Sequence, residues 1–200
     1  MDNPGQWITK ELLDRGHTVK AVVRTPAKVP QTSALTTAQS NLSSVDQIAK
    51  SLRGADAVVS SYGPAADNTR EIVPVTKRIA PAAKQNSRRL LVVGGAGSLE
   101  VAPGVTLLAS GYVPEPFVPI TKAHADAFAN LKKSDSDWTY FSPTAFFELG
   151  ERTDKFRLGK DELIADASGT RRISMEDYAI AAVDELEHPA RRGSRFTIGY

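Results

Sequence analysis

Residues 88–98 read RRLLVVGGAGS: two arginines, four consecutive large apolar residues, then a glycine-rich turn. The run Leu90, Leu91, Val92, Val93 is too short for a buried helix and does not alternate. It predicts a strand covered on both faces, of the kind found in parallel sheets. Gly94, Gly95 and Gly97 follow at once. Lacking Cβ atoms, they allow the backbone to turn sharply and to approach a ligand at the strand's carboxyl end, where open α/β sheets bind theirs. A tight turn with no ligand is the plainer reading of the same glycines.

Working outward, residues 55–61 (ADAVVSS) form a second apolar run, ended by Tyr62-Gly63-Pro64, and residues 138–141 a third, ended by Ser142-Pro143. Between them, residues 72–85 carry a helical pattern that Pro74 and Pro81 interrupt, which predicts a late start or a kink. Residues 121–133 predict a helix with Ala125, Phe128 and Leu131 inward. Toward the N-terminus, Trp7, Ile8, Leu12 and Leu13 recur at helical spacing until Gly16, and residues 18–24 (TVKAVVR) read as a strand. Residues 35–38 are a weaker strand, and Ser44-Val45-Asp46-Gln47 has the spacing of a capping box that opens a helix closed by Gly54. Toward the C-terminus, residues 99–119 form a long irregular segment with four prolines, of the length that usually serves as a lid or substrate wall. Residues 163–173 suggest a hairpin, Ser174 caps a helix that stops at Pro189, and residues 195–198 make a last strand. Strands alternating with helices predict an α/β doubly wound parallel sheet with helices on both faces.

At 200 residues the chain is sized for one domain, 1–200. A formal charge of +2, with arginine pairs scattered and not interleaved with aromatics, argues against nucleic-acid binding. The absence of cysteine removes thiol nucleophiles and cysteine metal sites. With no apolar stretch of membrane-spanning length and no leader pattern, a cytoplasmic location is expected. His17, His124 and His188 do not make a metal constellation, and His124 reads as a helix-surface residue. No serine sits at nucleophile-elbow spacing, which leaves hydrolase chemistry without a foothold.

The order of these pieces resembles the atypical short-chain dehydrogenase/reductase superfamily, in particular its NmrA-like and flavin-reductase-like small NAD(P)H-binding members. The carriers are HTVKAVVR (17–24), GADAVVSSYGP (54–64), RLLVVGGAGSL (89–99), KAHADAFANLKKSDSDWTYFSP (122–143) and RISMEDYAIAAVDELEHP (172–189). The resemblance implies a Rossmann-like sheet. It also implies that Gly5 is the third glycine of a phosphate-binding G-x-x-G-x-x-G loop, whose strand and first two glycines are expected upstream of Met1. Its cofactor contacts fall on Gly5, Arg24, Asn41, Tyr62, Gly63, Gly94, Gly95, Lys122 and Pro143. Arg24 at the end of its strand suits a 2′-phosphate, so NADP(H) is expected over NAD(H).

The superfamily's usual Tyr-x-x-x-Lys chemistry leaves Lys122 as the one catalytic candidate. Val118 stands at the tyrosine position and Gly94 or Gly95 at that of the serine. Carbonyl reduction thus lacks its proton donor, whereas hydride transfer to a flavin, quinone or similar conjugated acceptor needs chiefly stacking and orientation. The alternative is a catalytically silent NAD(P) sensor or an interaction module that no longer binds cofactor. Ser98 and Glu100 stand as candidates to polarise a substrate, or as turn residues. The expected partner is a small-molecule acceptor, with neither nucleic acid nor membrane, and the expected state is a monomer or homodimer.

Overall fold

The computed structural model describes residues 3–64 and 66–200. Helix α1 (Pro4–Asp14) opens under an Asn3 cap whose Oδ1 accepts the Gly5 N–H at 2.8 Å. Pro4 stands at the first helical position, where its missing N–H costs nothing. Strands β1 (Val19–Val23) and β2 (Leu35–Gln39) follow, then α2 (Val45–Ser51), capped by Ser44 Oγ on the Gln47 N–H at 3.3 Å as the capping-box spacing predicts. After β3 (Ala57–Ser60), α3 (Ile72–Gln85) starts at Ile72, without the late start that Pro74 suggested. Pro74 falls in the first turn, where no intrahelical N–H bond is lost, while Pro81 sits inside the helix.

The Leu-Leu-Val-Val run forms β4 (Arg89–Val93), all five of whose residues are buried. The segment that follows is more ordered than its prolines suggested, because β5 (Glu100–Ala102) and β6 (Val105–Thr106) pair as a small antiparallel hairpin. Helix α4 (Val118–Leu131) buries Ala123, Ala127, Phe128 and Leu131, with Ala125 only half-buried. Strand β7 (Trp138–Pro143) is buried throughout. The tail holds β8 (Phe146–Glu148), β9 (Arg157–Gly159), β10 (Arg172–Ser174), α5 (Met175–Glu187) and β11 (Ser194–Gly199). The hairpin expected over 163–173 is not formed: β10 pairs in parallel with β8, Ile173 opposite Phe147.

The main sheet has the order β3-β4-β7-β11-β9, parallel except for β9, and β1 with β2 forms a separate parallel pair. Helices cover both faces. On one face α2, α3 and α4 contribute Ile48, Leu52, Val75, Ile79 and Phe128 to a core with Val58, Leu90, Val92 and Tyr140. On the other, α1 and α5 contribute Ile8, Tyr178, Ala182 and Val183 against Leu91, Val93, Phe141 and Phe196. The alternation of Leu90/Val92 with Leu91/Val93 between the two cores explains why this run has no polar position. At the amino ends of the strands, Arg89 and Glu185 form a buried pair at 2.6 Å, and Glu185 also accepts Arg191 Nη1 at 3.0 Å. Among the described residues no helix is long and apolar enough to cross a membrane.

Candidate functional site

The carboxyl ends of β3, β4 and β7 gather most of the residues singled out in the sequence. Gly5, on the first turn of α1, lies against Ser61 just beyond β3, so closely that a Cβ there would overlap the Ser61 hydroxyl. Tyr62 is half-buried beside Ile72 and Ala123. Burial raises its phenol above the ordinary value and Glu71 adds to this, while the positive charges of Arg24 and Arg78 pull it back. Arg24, exposed at the end of β1, is therefore near enough for its field to reach Tyr62. Among the described residues, none has an atom within 4 Å of where a Cβ on Gly63 would stand.

The glycines after β4 sit differently. A Cβ on Gly94 would overlap the ring of the fully buried Tyr140, one on Gly95 would stand 3.1 Å from His124 Cβ, and one on Gly97 would strike Thr121. These glycines let α4 and β7 close on the loop. Tyr140 Oη then donates to the His124 carbonyl at 2.9 Å, tying β7 to α4. Pro143, the last residue of β7, is buried and paired with Ile198.

Several of the other candidates make contacts within the protein. Lys122 is exposed and ion-paired with Asp126 at 2.7 Å, one turn along the same helix. Asn41 accepts the Ser43 N–H at 3.1 Å, closing an Asx turn. Ser98 Oγ accepts from Arg195 Nη1 at 2.7 Å, beneath the loop, and Glu100 is exposed on β5. The Ser98 hydroxyl is thus already engaged by an arginine of the protein itself.

His124 does not project from the helix surface as its sequence context suggested. Its ring is half-buried against Gly95, and desolvation lowers its pKa from 6.5 to about 4, so the imidazole is neutral at physiological pH. The pattern that could have found it is the two-residue step from Lys122, which puts the two side chains on different faces of α4. Among the described residues no group of His, Cys, Asp and Glu is placed to hold a metal. Around the same end of the sheet stand exposed aromatics: Phe117 at the start of α4 (60% exposed), Phe146 after β7 (60%) and Tyr112 in the segment before α4 (75%).

A family model described as NAD(P)H-binding matches residues 3–189. The chain is 37% identical over 199 residues to an uncharacterized protein, YwnB, of Bacillus subtilis (strain 168), covering 97% of this chain and 92% of that one. Among solved structures, a provisionally assigned epimerase from Bacteroides thetaiotaomicron is 43% identical, with a TM-score of 0.92, covering all of this chain and 93% of its own. A provisionally assigned NADH-flavin reductase from Streptococcus pneumoniae TIGR4 is 31% identical, with a TM-score of 0.88, covering 98% and 93%. The names of these two differ in reaction. With a model that spans nearly the whole length and relatives matched almost end to end, the chain belongs to the NAD(P)H-binding family, within the atypical short-chain dehydrogenase/reductase group that its motifs resemble.

Proposed function

We propose that the protein is an NADPH-dependent oxidoreductase that passes hydride to a flavin, quinone or similar conjugated small molecule, in the cytoplasm, as a monomer or homodimer. The residues at the strand ends fit a dinucleotide. The first turn of α1 meets Ser61, Gly63 has open space beside it among the described residues, and Arg24 is exposed just past the end of β1. When bound, the nicotinamide supplies a hydride, which an acceptor takes up together with a proton from water. Arg24 would hold the 2′-phosphate, which selects NADPH over NADH. Gly5 and the N-terminus of α1 would face the pyrophosphate, and Tyr62-Gly63 would form the wall opposite Gly95.

One observation carries the choice of acceptor: the tyrosine and serine of the superfamily's usual proton-donating set are replaced, by Val118 and by Gly94 or Gly95. The imidazole of His124 is neutral, and Lys122 is engaged with Asp126. A conjugated ring, which spreads the incoming charge, does without such a donor. The exposed Tyr112, Phe117 and Phe146 supply aromatic surface for stacking it. The Streptococcus pneumoniae relative's name agrees with this class.

The Lys122–Asp126 pair also favours a second reading, a silent NAD(P)-sensing protein or interaction module, since it leaves the single catalytic candidate turned to solvent. NADPH oxidation measured against a panel of flavins and quinones, beside a direct NADPH titration, decides between them. Turnover with any of these acceptors supports the reductase. Tight NADPH binding without turnover supports the sensor, and no binding of either nucleotide defeats the reductase and the sensor and leaves the interaction module.

A further inference from the structure

The loop after β4, residues 94–98, is tied to the main sheet at both ends. At its start the Gly94 N–H donates to the Phe141 carbonyl of β7 at 2.7 Å. At its end Ser98 is held from β11: Arg195 Nη1 donates to the Ser98 carbonyl at 3.0 Å and to the Ser98 hydroxyl at 2.7 Å. Three of the residues in this loop are glycines, whose backbone has the most freedom to lose. The Gly97 carbonyl also accepts the Leu108 N–H at 2.9 Å, but that partner belongs to the outer segment before α4 and not to the sheet. Arg195 is thus what fastens the end of the loop to the sheet.

The side chain that does this is itself closely held, and only 6% exposed. Its Nε donates to Asp161 Oδ1 at 2.9 Å and its Nη2 reaches the same oxygen, while its Cζ lies 4.6 Å from the centre of the Phe128 ring. Phe128 continues the face of α4 that closes on the loop. Thr121 stands against Gly97, His124 against Gly95 and Phe128 against Arg195, at spacings that put all three on one side of the helix. Arg195 pairs with Tyr140 in the register of β11 and β7, and the Tyr140 ring lies 4.6 Å from that of Phe128. The Asp161 carbonyl accepts the Glu100 N–H at 2.7 Å, which joins the segment after β9 to β5. One guanidinium therefore links the loop, α4, β11 and the segment after β9. The planar fork is what allows it, since a lysine ammonium could hold Ser98 or Asp161 but lacks the reach in two directions to hold both.

We infer that Arg195 is a positioning residue of the nucleotide site: by holding Ser98 to β11 it fixes the loop after β4 where a nicotinamide must meet its acceptor. The inference rests on the reductase reading, in which Gly95 stands opposite the Tyr62-Gly63 turn. It adds to that reading a buried residue on β11 that acts through Ser98. Nucleotide affinity does not depend on it, because the proposed phosphate contacts lie at Arg24 and the first turn of α1. Hydride transfer does, because donor and acceptor must be close and aligned, and a small displacement of the surface they rest on costs rate.

The test compares Arg195→Lys, which keeps the charge and loses the fork, with Ile48→Val, which thins the core at α2. Each is measured for thermal melting, NADPH affinity, turnover at saturating NADPH and acceptor, and hydrogen exchange in residues 95–99. Arg195→Lys should lower saturating turnover by about tenfold or more and speed exchange in 95–99 by about as much, with NADPH affinity within about twofold of the unaltered protein. Ile48→Val should lower the melting temperature and leave the other three quantities unchanged. Ser98→Ala removes one of the two acceptors and should move turnover and exchange the same way by about threefold, which keeps the test if Arg195→Lys does not fold. Unchanged loop exchange in these variants would overturn the inference. So would affinity lost with turnover retained, or a turnover loss that Ile48→Val matches, the mark of general destabilisation. The unaltered protein tests the reductase reading by itself, and the ratio of variant to unaltered protein tests Arg195. If the unaltered protein binds NADPH without turnover, the readout becomes the fluorescence of bound NADPH, which depends on how firmly the nicotinamide is held. Arg195→Lys should then lower that fluorescence at equal affinity, and equal fluorescence would overturn the inference. An unaltered protein that binds no NADPH overturns it together with the nucleotide reading.

Discussion

If His124 is held neutral by its burial against Gly95, acid should destabilise the fold by an amount that this residue alone supplies. Its pKa is 6.5 when free and about 4 in place, lowered by desolvation. The folded state thus binds fewer protons than the unfolded chain between those values. The stability is fully present above 6.5 and is lost as pH falls toward 4. Linkage over that shift gives a loss of about 2 kcal/mol between pH 7 and pH 4.5, and about 3 kcal/mol once both states are protonated. Urea unfolding followed by tryptophan fluorescence measures it, with Trp138 in the core as one reporter. His124→Gln keeps a polar side chain of similar reach and removes the titration. The wild type should lose about 2 kcal/mol more than this variant across the same pH interval, because carboxylates such as Glu11 titrate in both and cancel in the difference. Equal losses in the two proteins would show that the imidazole titrates as freely as in water and does not stand against the glycine loop.

Three further outcomes follow from named contacts. Arg24→Ala should reduce the preference for NADPH over NADH by roughly 1.5–3 kcal/mol, read from paired titrations, and equal affinities in the unaltered protein would already defeat that assignment. Gly94→Ala would drive a Cβ into the buried ring of Tyr140, and should cost about 1–3 kcal/mol in urea unfolding; an unchanged midpoint would mean that the ring has room to move. Lys122→Ala should weaken NADPH binding more than it lowers turnover at saturation. A thousandfold loss of turnover with unchanged affinity, the pattern of a transition-state contact, would make the lysine a proton relay.

The strands and caps were legible because they rest on local chemistry. A four-residue apolar run has no polar face to offer solvent, and Ser44 and Ser174 each accept an N–H three residues on, which is visible as spacing. Errors arose where tertiary packing decides. Residues 163–173 carry turn signals, yet the segment before α5 pairs with β8 from a distant part of the sequence. Lys122 and His124 differ by two positions, and the sequence assigned the lysine to the site and the histidine to solvent. The structure turns His124 to the loop after β4, which corrects its reading as a helix-surface residue.

The glycines show why the site was harder to read than the fold. After β4, the sequence allows either a ligand or a turn, and both readings predict the same residues. The structure separates them by asking what each absent Cβ would strike. Gly94, Gly95 and Gly97 are each opposed by a side chain of the protein itself, Tyr140, His124 and Thr121, so their small size is already explained by α4 and β7 closing on the loop. Among the described residues nothing opposes Gly63, and its φ is not of the kind that excludes other residues. A larger side chain at 63 would therefore meet neither steric nor backbone resistance from the described residues. On the proposed function, the Tyr62-Gly63 turn would be the ligand-facing wall of the site and the loop after β4 its packed floor. Gly63→Val should accordingly leave the urea midpoint unchanged while lowering NADPH affinity at least tenfold, whereas loss of stability with affinity retained would return this turn to a purely structural role.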